Sequence, residues 1–85
     1  MIVIHKIELE IIDRQNIDLS SGFQVLDIQL QNDKFVLWAK LDIERDVKNV
    51  PIVCFFTGEP LPLNEMIYIK TIQHERLVYH FFYLS

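Results

Sequence analysis

QVLDIQLQNDKFVLWAKL, residues 24–41, is the stretch that decides the fold. In its first half Leu26, Ile28 and Leu30 alternate with Asp27, Gln29 and Gln31, and in its second half Phe35, Leu37, Ala39 and Leu41 alternate with Val36, Trp38 and Lys40. A period of two sends successive side chains to opposite faces of an extended chain, so each half is a strand with one apolar face. Between the halves, Asn32 and Asp33 are residue types that tolerate the positive φ angles of a tight turn. An antiparallel hairpin follows.

The same period extends outward. Val3, Ile7, Leu9 and Ile11 share one face, with Lys6, Glu8 and Glu10 on the other, which predicts a half-buried strand over residues 2–12. Asp13 and Arg14 break it, Ile17 and Leu19 fit a short second strand, and Ser20, Ser21 and Gly22 turn the chain. Glu44 to Asn49 is charged and lacks apolar periodicity, so it reads as a loop holding at most one helical turn. Val50 to Thr57 is nearly continuously apolar, as in a strand buried on both faces, although Pro51 lacks an amide donor and suits an edge or a first position. Gly58, Pro60 and Pro62 end that run, and Met66–Gln73 with Arg76–Leu84 predict a second hairpin around His74 and Glu75. The expectation is a single all-β domain over residues 1–85, an antiparallel sandwich or small open barrel of six to seven strands.

A chain of 85 residues supports one hydrophobic core, and its 51% hydrophobic and 24% charged content is that of a folded protein. Twelve acidic against eight basic residues give a net charge of -4, with the basic residues scattered from Lys6 to Arg76. That argues against direct nucleic-acid binding, and the acidic residues are too dispersed for a DNA mimic. A single cysteine, Cys54, points to a reducing cytosol rather than a disulfide scaffold. The apolar Met1–Ile4 is too short for a signal peptide or a membrane span.

Catalytic groupings are not evident. Cys54, His5, His74 and His80 lack the paired spacing of zinc ligands, so no metal or cofactor is expected. His74 reads as a solvated turn residue, and His5 and His80 as histidines hydrogen-bonded at the core margin. Cys54 sits among branched and aromatic residues that keep a thiol protonated, and Ser20, Ser21 and Ser85 lack a nucleophile elbow. Glu8 and Glu10 belong to the solvated side of a strand, and Gly22 and Gly58 form no phosphate-cradling loop. An enzyme is therefore not expected, and action by association is.

The last strand carries Leu77, Tyr79, Phe81 and Tyr83 on one face and Val78, His80, Phe82 and Leu84 on the other. Either the rest of the chain covers both faces, or one face or edge meets another copy of the chain or a host protein. Tyr79, His80, Phe81, Phe82 and Tyr83 are accordingly interface candidates, and a homo-oligomer, foremost a dimer, is expected. The segment Gly58-Glu59-Pro60-Leu61-Pro62-Leu63 is a second candidate, because two prolines preorganise it around Leu61 and Leu63. Its other reading is a crossover closing one end of the fold. A competing expectation is a small-ligand binder, with Trp38 or Tyr79 stacking a base and Lys40, Lys70 or Arg76 meeting phosphates.

Five segments, His5-Lys6-Ile7-Glu8-Leu9, Val25-Leu26-Asp27-Ile28-Gln29-Leu30-Gln31, Leu37-Trp38-Ala39, Thr57-Gly58-Glu59-Pro60-Leu61-Pro62 and Val78-Tyr79-His80-Phe81-Phe82, together cover nearly the whole chain. In order and spacing they resemble a family of small phage and prophage proteins of uncharacterised function, departing from it in the Glu44–Asn49 loop, where the family carries an Asp-Pro type of loop. The resemblance implies an accessory role in the bacterial host cytoplasm. That role is accessory rather than virion-building, which implies an inhibitor of an anti-phage defence protein; beside this reading stand sequestration of a nucleotide immune messenger, through the ligand-contact residues named above, and a structural accessory of the phage particle. The family has no established catalytic residues to carry over.

Overall fold

In the computed structural model, which describes residues 1–62 and 65–84, seven strands follow one another. They are β1 (Ile2–Leu9), β2 (Arg14–Ser20), β3 (Gln24–Gln31), β4 (Lys34–Asp42), β5 (Val47–Phe56), β6 (Met66–His74) and β7 (Leu77–Leu84). No helix forms among the described residues. The strands make a three-stranded sheet ordered β1-β4-β3 and a four-stranded sheet ordered β2-β5-β7-β6, with every pairing antiparallel. Each sheet keeps two free edges, so the architecture is a sandwich, not a closed barrel.

Strand β4 behaves as its alternation dictates. Phe35, Leu37 and Ala39 are fully buried and Leu41 nearly so, all on the inner face. The β3–β4 turn uses Asn32 and Asp33 at φ angles of 49° and 63°, as the hairpin requires. Opposite β4 lie Val50 and Ile52 of β5, Ile17 and Leu19 of β2, and Tyr79 and Phe81 of β7, which complete the core. Phe35 is its aromatic centre, edge-to-face with Tyr79 at 4.8 Å and with Phe81 at 5.0 Å between ring centroids.

Four local expectations are corrected. A β-bulge between Val25 and Asp27 shifts the register of β3, so Val25 pairs with inward Ala39 while Leu26 stands 44% exposed. Val36, on the outer face, is only 3% exposed between its cross-strand neighbours Glu8 and Gln29. β1 ends at Leu9 and leaves Ile11 56% exposed beyond it, whereas β2 starts earlier than expected, at Arg14. The Glu44–Asn49 region contains a turn and then the start of β5 at Val47, with no helical turn.

Pro51 stands within β5, a central strand, and the bonding pattern explains why it is tolerated. The Cys54 N–H donates to the Asp13 carbonyl at 2.9 Å on the β2 side. By the alternation of an antiparallel ladder, the odd-numbered residues of β5 then direct their peptide groups toward β7. Pairing with β7 begins only at Ile52, opposite Tyr83, so the missing donor of Pro51 falls just past the end of that ladder.

Strands β5 and β6 both run antiparallel to β7 and hence parallel to each other. β5 ends with Phe56 opposite Tyr79, and β6 begins with Met66 opposite Leu84. The connection must therefore travel back along β7. It starts with a closed turn in which the Glu59 N–H donates to the Phe56 carbonyl at 3.1 Å and the Phe56 N–H donates to Glu59 Oε1 at 2.8 Å. Gly58 supplies that turn's left-handed residue at φ 95°. From there the chain lies over the outer face of the four-stranded sheet, where Glu59 and Leu61 line a groove with Phe55, His80 and Phe82, and Pro62 lines one with Val53 and Leu84.

Candidate interaction surface

The two faces of β7 have different fates. Tyr79 and Phe81 are 6% and 1% exposed, and Tyr83 is half-buried with its ring edge-on to Phe23 at 5.3 Å. These three face β3 and β4 across the core, which takes Tyr79 and Phe81 out of any contact surface and leaves Tyr83 at its margin. The reason is shape: Phe35 needs a flat aromatic wall opposite it, and this face of β7 supplies one.

His80 and Phe82 point the other way, onto the outer face. There Phe82 is flanked edge-on by Phe55 of β5 at 6.0 Å and by Tyr68 of β6 at 5.6 Å. Tyr68 is 56% exposed and Leu61, on the crossover, 52%. A chain of hydrogen bonds runs across this surface. Thr57 Oγ1 is 2.8 Å from His80 Nε2, Thr71 Oγ1 is 3.0 Å from His80 Nδ1, and the Tyr68 hydroxyl is 2.7 Å from Thr71 Oγ1. Both nitrogens of His80 thus have a hydroxyl partner, and the bonds fix the ring between the aromatics. Sequence reading found His80, Phe82 and Leu61 but missed Phe55, Tyr68, Thr57 and Thr71, which reach this face only through the β5-β7-β6 order. Leu63 lies outside the described residues.

The other histidines depart from expectation. His74 lies in a strand rather than a solvated turn, half-buried with its ring 6.1 Å from and edge-on to Phe35. His5 is exposed instead of bonded at the core margin. Among the described residues no three His, Cys, Asp or Glu side chains come together as a metal site. Burial pushes the Cys54 thiol up to about 11, with Glu59 and Asp13 adding to the shift, so it stays protonated at neutral pH.

The residues considered for a phosphate-bearing ligand are spread over the molecule. Trp38 and Lys40 lie on the outer face of the three-stranded sheet, and Arg76 in the turn between β6 and β7. Lys70 is held by Asp27 at 3.0 Å across the seam where β6 and β3 meet. Burial acts to raise the Asp27 carboxyl, but hydrogen bonds from Gln29, Lys70 and the Ile28 amide outweigh it and hold the group below the usual carboxylate range.

No helix of the described residues is long and apolar enough to cross a membrane. The fold and this surface define a small two-sheet antiparallel β-sandwich whose second aromatic face is only partly covered by its own crossover. The chain belongs to a family described as a domain of unknown function, DUF7352, whose profile matches residues 1–85. No curated protein and no solved structure matches it.

Proposed function

We propose that the protein works by protein–protein association through the outer face of its four-stranded sheet. The observation that carries this reading is the cluster of Phe55, Phe82, Tyr68 and Leu61 around His80, aromatic and apolar at its centre and ringed by hydroxyls, outside the core that holds the fold together. Interfaces between proteins favour this composition, with aromatic anchors surrounded by polar groups. The partner is read as a bacterial protein and the role as inhibition of an anti-phage defence system in the host cytoplasm. That step is supported by the resemblance to phage and prophage proteins, not by the geometry.

The test compares the wild type with Phe82→Ser and Leu61→Ser variants in pull-downs from the bacterial host read by mass spectrometry, beside phage plating on a host carrying the defence. A defence component recovered by the wild type and lost by both folded variants, with a parallel loss of plating, is the expected result. Equal recovery by all three proteins, or no effect on plating, would overturn the reading.

A further inference from the structure

The sandwich has four strand edges, and three are guarded. Strands β3 and β6 each carry a bulge, at Val25/Asp27 and Tyr68/Lys70, and the Asp27–Lys70 ion pair ties them to each other. β2 is the shortest strand, seven residues, and sets Arg14, Asn16 and Asp18 along one face. Bulges, short length and charge are the ordinary protections of an edge against further pairing. β1 carries no bulge, and its charges, Lys6 and Glu8, stand only in its second half, leaving Ile2, Val3 and Ile4 uncharged. It pairs with β4 in unbroken register from Ile2 opposite Asp42 to Leu9 opposite Phe35, and contains no proline.

The ladder shows which backbone groups of β1 are free. The Ile43 N–H donates to the Met1 carbonyl at 3.0 Å, which makes Met1 and Ile43 a hydrogen-bonded pair. Antiparallel alternation then assigns Val3, His5, Ile7 and Leu9 to bonding with β4, and turns the N–H and C=O of Ile2, Ile4, Lys6 and Glu8 out of the sheet. The Glu10 N–H agrees with this parity, since it points away from β4 and donates to Gln15 Oε1 at 2.9 Å. The side chains of the same even-numbered residues stand on the outer face, where Ile2 and Ile4 are 63% and 64% exposed.

We infer that β1 is a self-association edge, pairing antiparallel with β1 of a second copy about a two-fold axis at Ile4 and extending the sheet to six strands. The sequence of the edge selects both occupant and register. With the axis at Ile4, Ile4 faces the partner's Ile4 and Ile2 faces the partner's Lys6, gathering four isoleucines on one face with a lysine at each rim. An axis at Lys6 or at Glu8 would set like charges opposite each other, and one at His5 would split the isoleucines between Lys6 and Glu8. The chosen pairing joins Ile2, Ile4 and Lys6 of both copies, about six backbone hydrogen bonds. An interface this small forms a weak dimer.

Sedimentation from low micromolar to about 1 mM protein is the test, beside Ile4→Pro and Ile4→Lys. Wild type is expected to move from monomer to dimer mass over this range. Ile4→Pro removes a donor that nothing within the chain uses, so it should stay monomeric with a near-native melting temperature. Ile4→Lys should also be monomeric, and mixing it with Ile4→Glu should restore dimers, because those side chains meet across the axis. The variants are read only where circular dichroism shows a native fold, and Ile4→Lys suffices alone if Ile4→Pro is unfolded. A wild type that is monomeric throughout, a dimer indifferent to the folded variants, or Ile4→Glu dimerising alone more tightly than wild type would overturn the inference. The outer face of the other sheet takes no part, so Phe82→Ser should leave this dimer intact, and failure here is separable from failure of the proposed function.

Discussion

Truncating Phe81 and Phe82 to alanine, one at a time, probes which face of the last strand holds the sandwich together. The two residues are adjacent in sequence and identical in chemistry, and they differ only in the side of the sheet they occupy. Phe81 is 1% exposed and packs on Phe35 at 5.0 Å, so Phe81→Ala removes a fully enclosed ring and should cost about 3–5 kcal/mol. Phe82 is half-buried between Phe55 and Tyr68, and its loss, with water free to fill the space, should cost about half of that or less. An 85-residue domain has roughly 4–13 kcal/mol to lose, so Phe81→Ala brings it close to unfolding while Phe82→Ala leaves it folded. Urea denaturation followed by tryptophan fluorescence gives both values, since Trp38 is the only tryptophan and lies in the other sheet. Equal costs, or a larger cost at Phe82, would mean that the outer face is part of the core, and the case for a spare contact surface would collapse.

Three shorter expectations follow from local geometry. Asp33→Gly should be neutral or stabilising because the φ of 63° costs glycine nothing, whereas Asn32→Val at φ 49° should lose about 1–2 kcal/mol by thermal denaturation. Cys54 should react far more slowly with iodoacetamide in the native protein than in urea. Because its folded pKa of about 11 lies above the ordinary thiol value of 9.0, the folded state holds the proton longer, and this group's contribution to stability, complete below about pH 9, should fade as pH rises toward 11. Lys70→Met should cost no more than about 1 kcal/mol, with the loss shrinking at high salt, since both members of the Asp27 pair are partly solvent-accessible.

An antiparallel fold of six to seven strands, sandwich or open barrel, is legible in the sequence from its alternation, as in β4, where Phe35, Leu37, Ala39 and Leu41 are all buried, although Val36 between them is buried as well. The sequence failed where the cause was non-local. The bulge in β3 sits where Asp27 meets Lys70 of β6, a strand distant in the sequence, and nothing in the alternation of Leu26, Ile28 and Leu30 announces it. Pro51 looked like an edge residue because its tolerance depends on where pairing with β7 begins. For the candidate surface, β7 was found but its faces could not be ranked, as both are apolar. The choice is made by Phe35, which lies on the other sheet.

The crossover from β5 to β6 bears most directly on function, because it decides how much of the outer face remains open. Two prolines, Pro60 and Pro62, stand in it, and each restricts the unfolded chain more than a flexible residue would. If the segment acted only as a cover, replacing both with glycine should cost the fold roughly 1–2 kcal/mol and, by loosening the cover, expose Phe55 and Phe82. If it is part of the contact surface, the same change should weaken partner binding beyond what the stability loss explains, because Leu61 must then be ordered at the moment of binding. Titrating an identified partner against the wild type and the double glycine variant, at a temperature where both are fully folded, separates the cases. Unchanged or tighter binding would make the crossover a cover and leave Phe82 as the anchor, whereas a tenfold or greater loss would join Leu61 to Phe82 in a single binding surface.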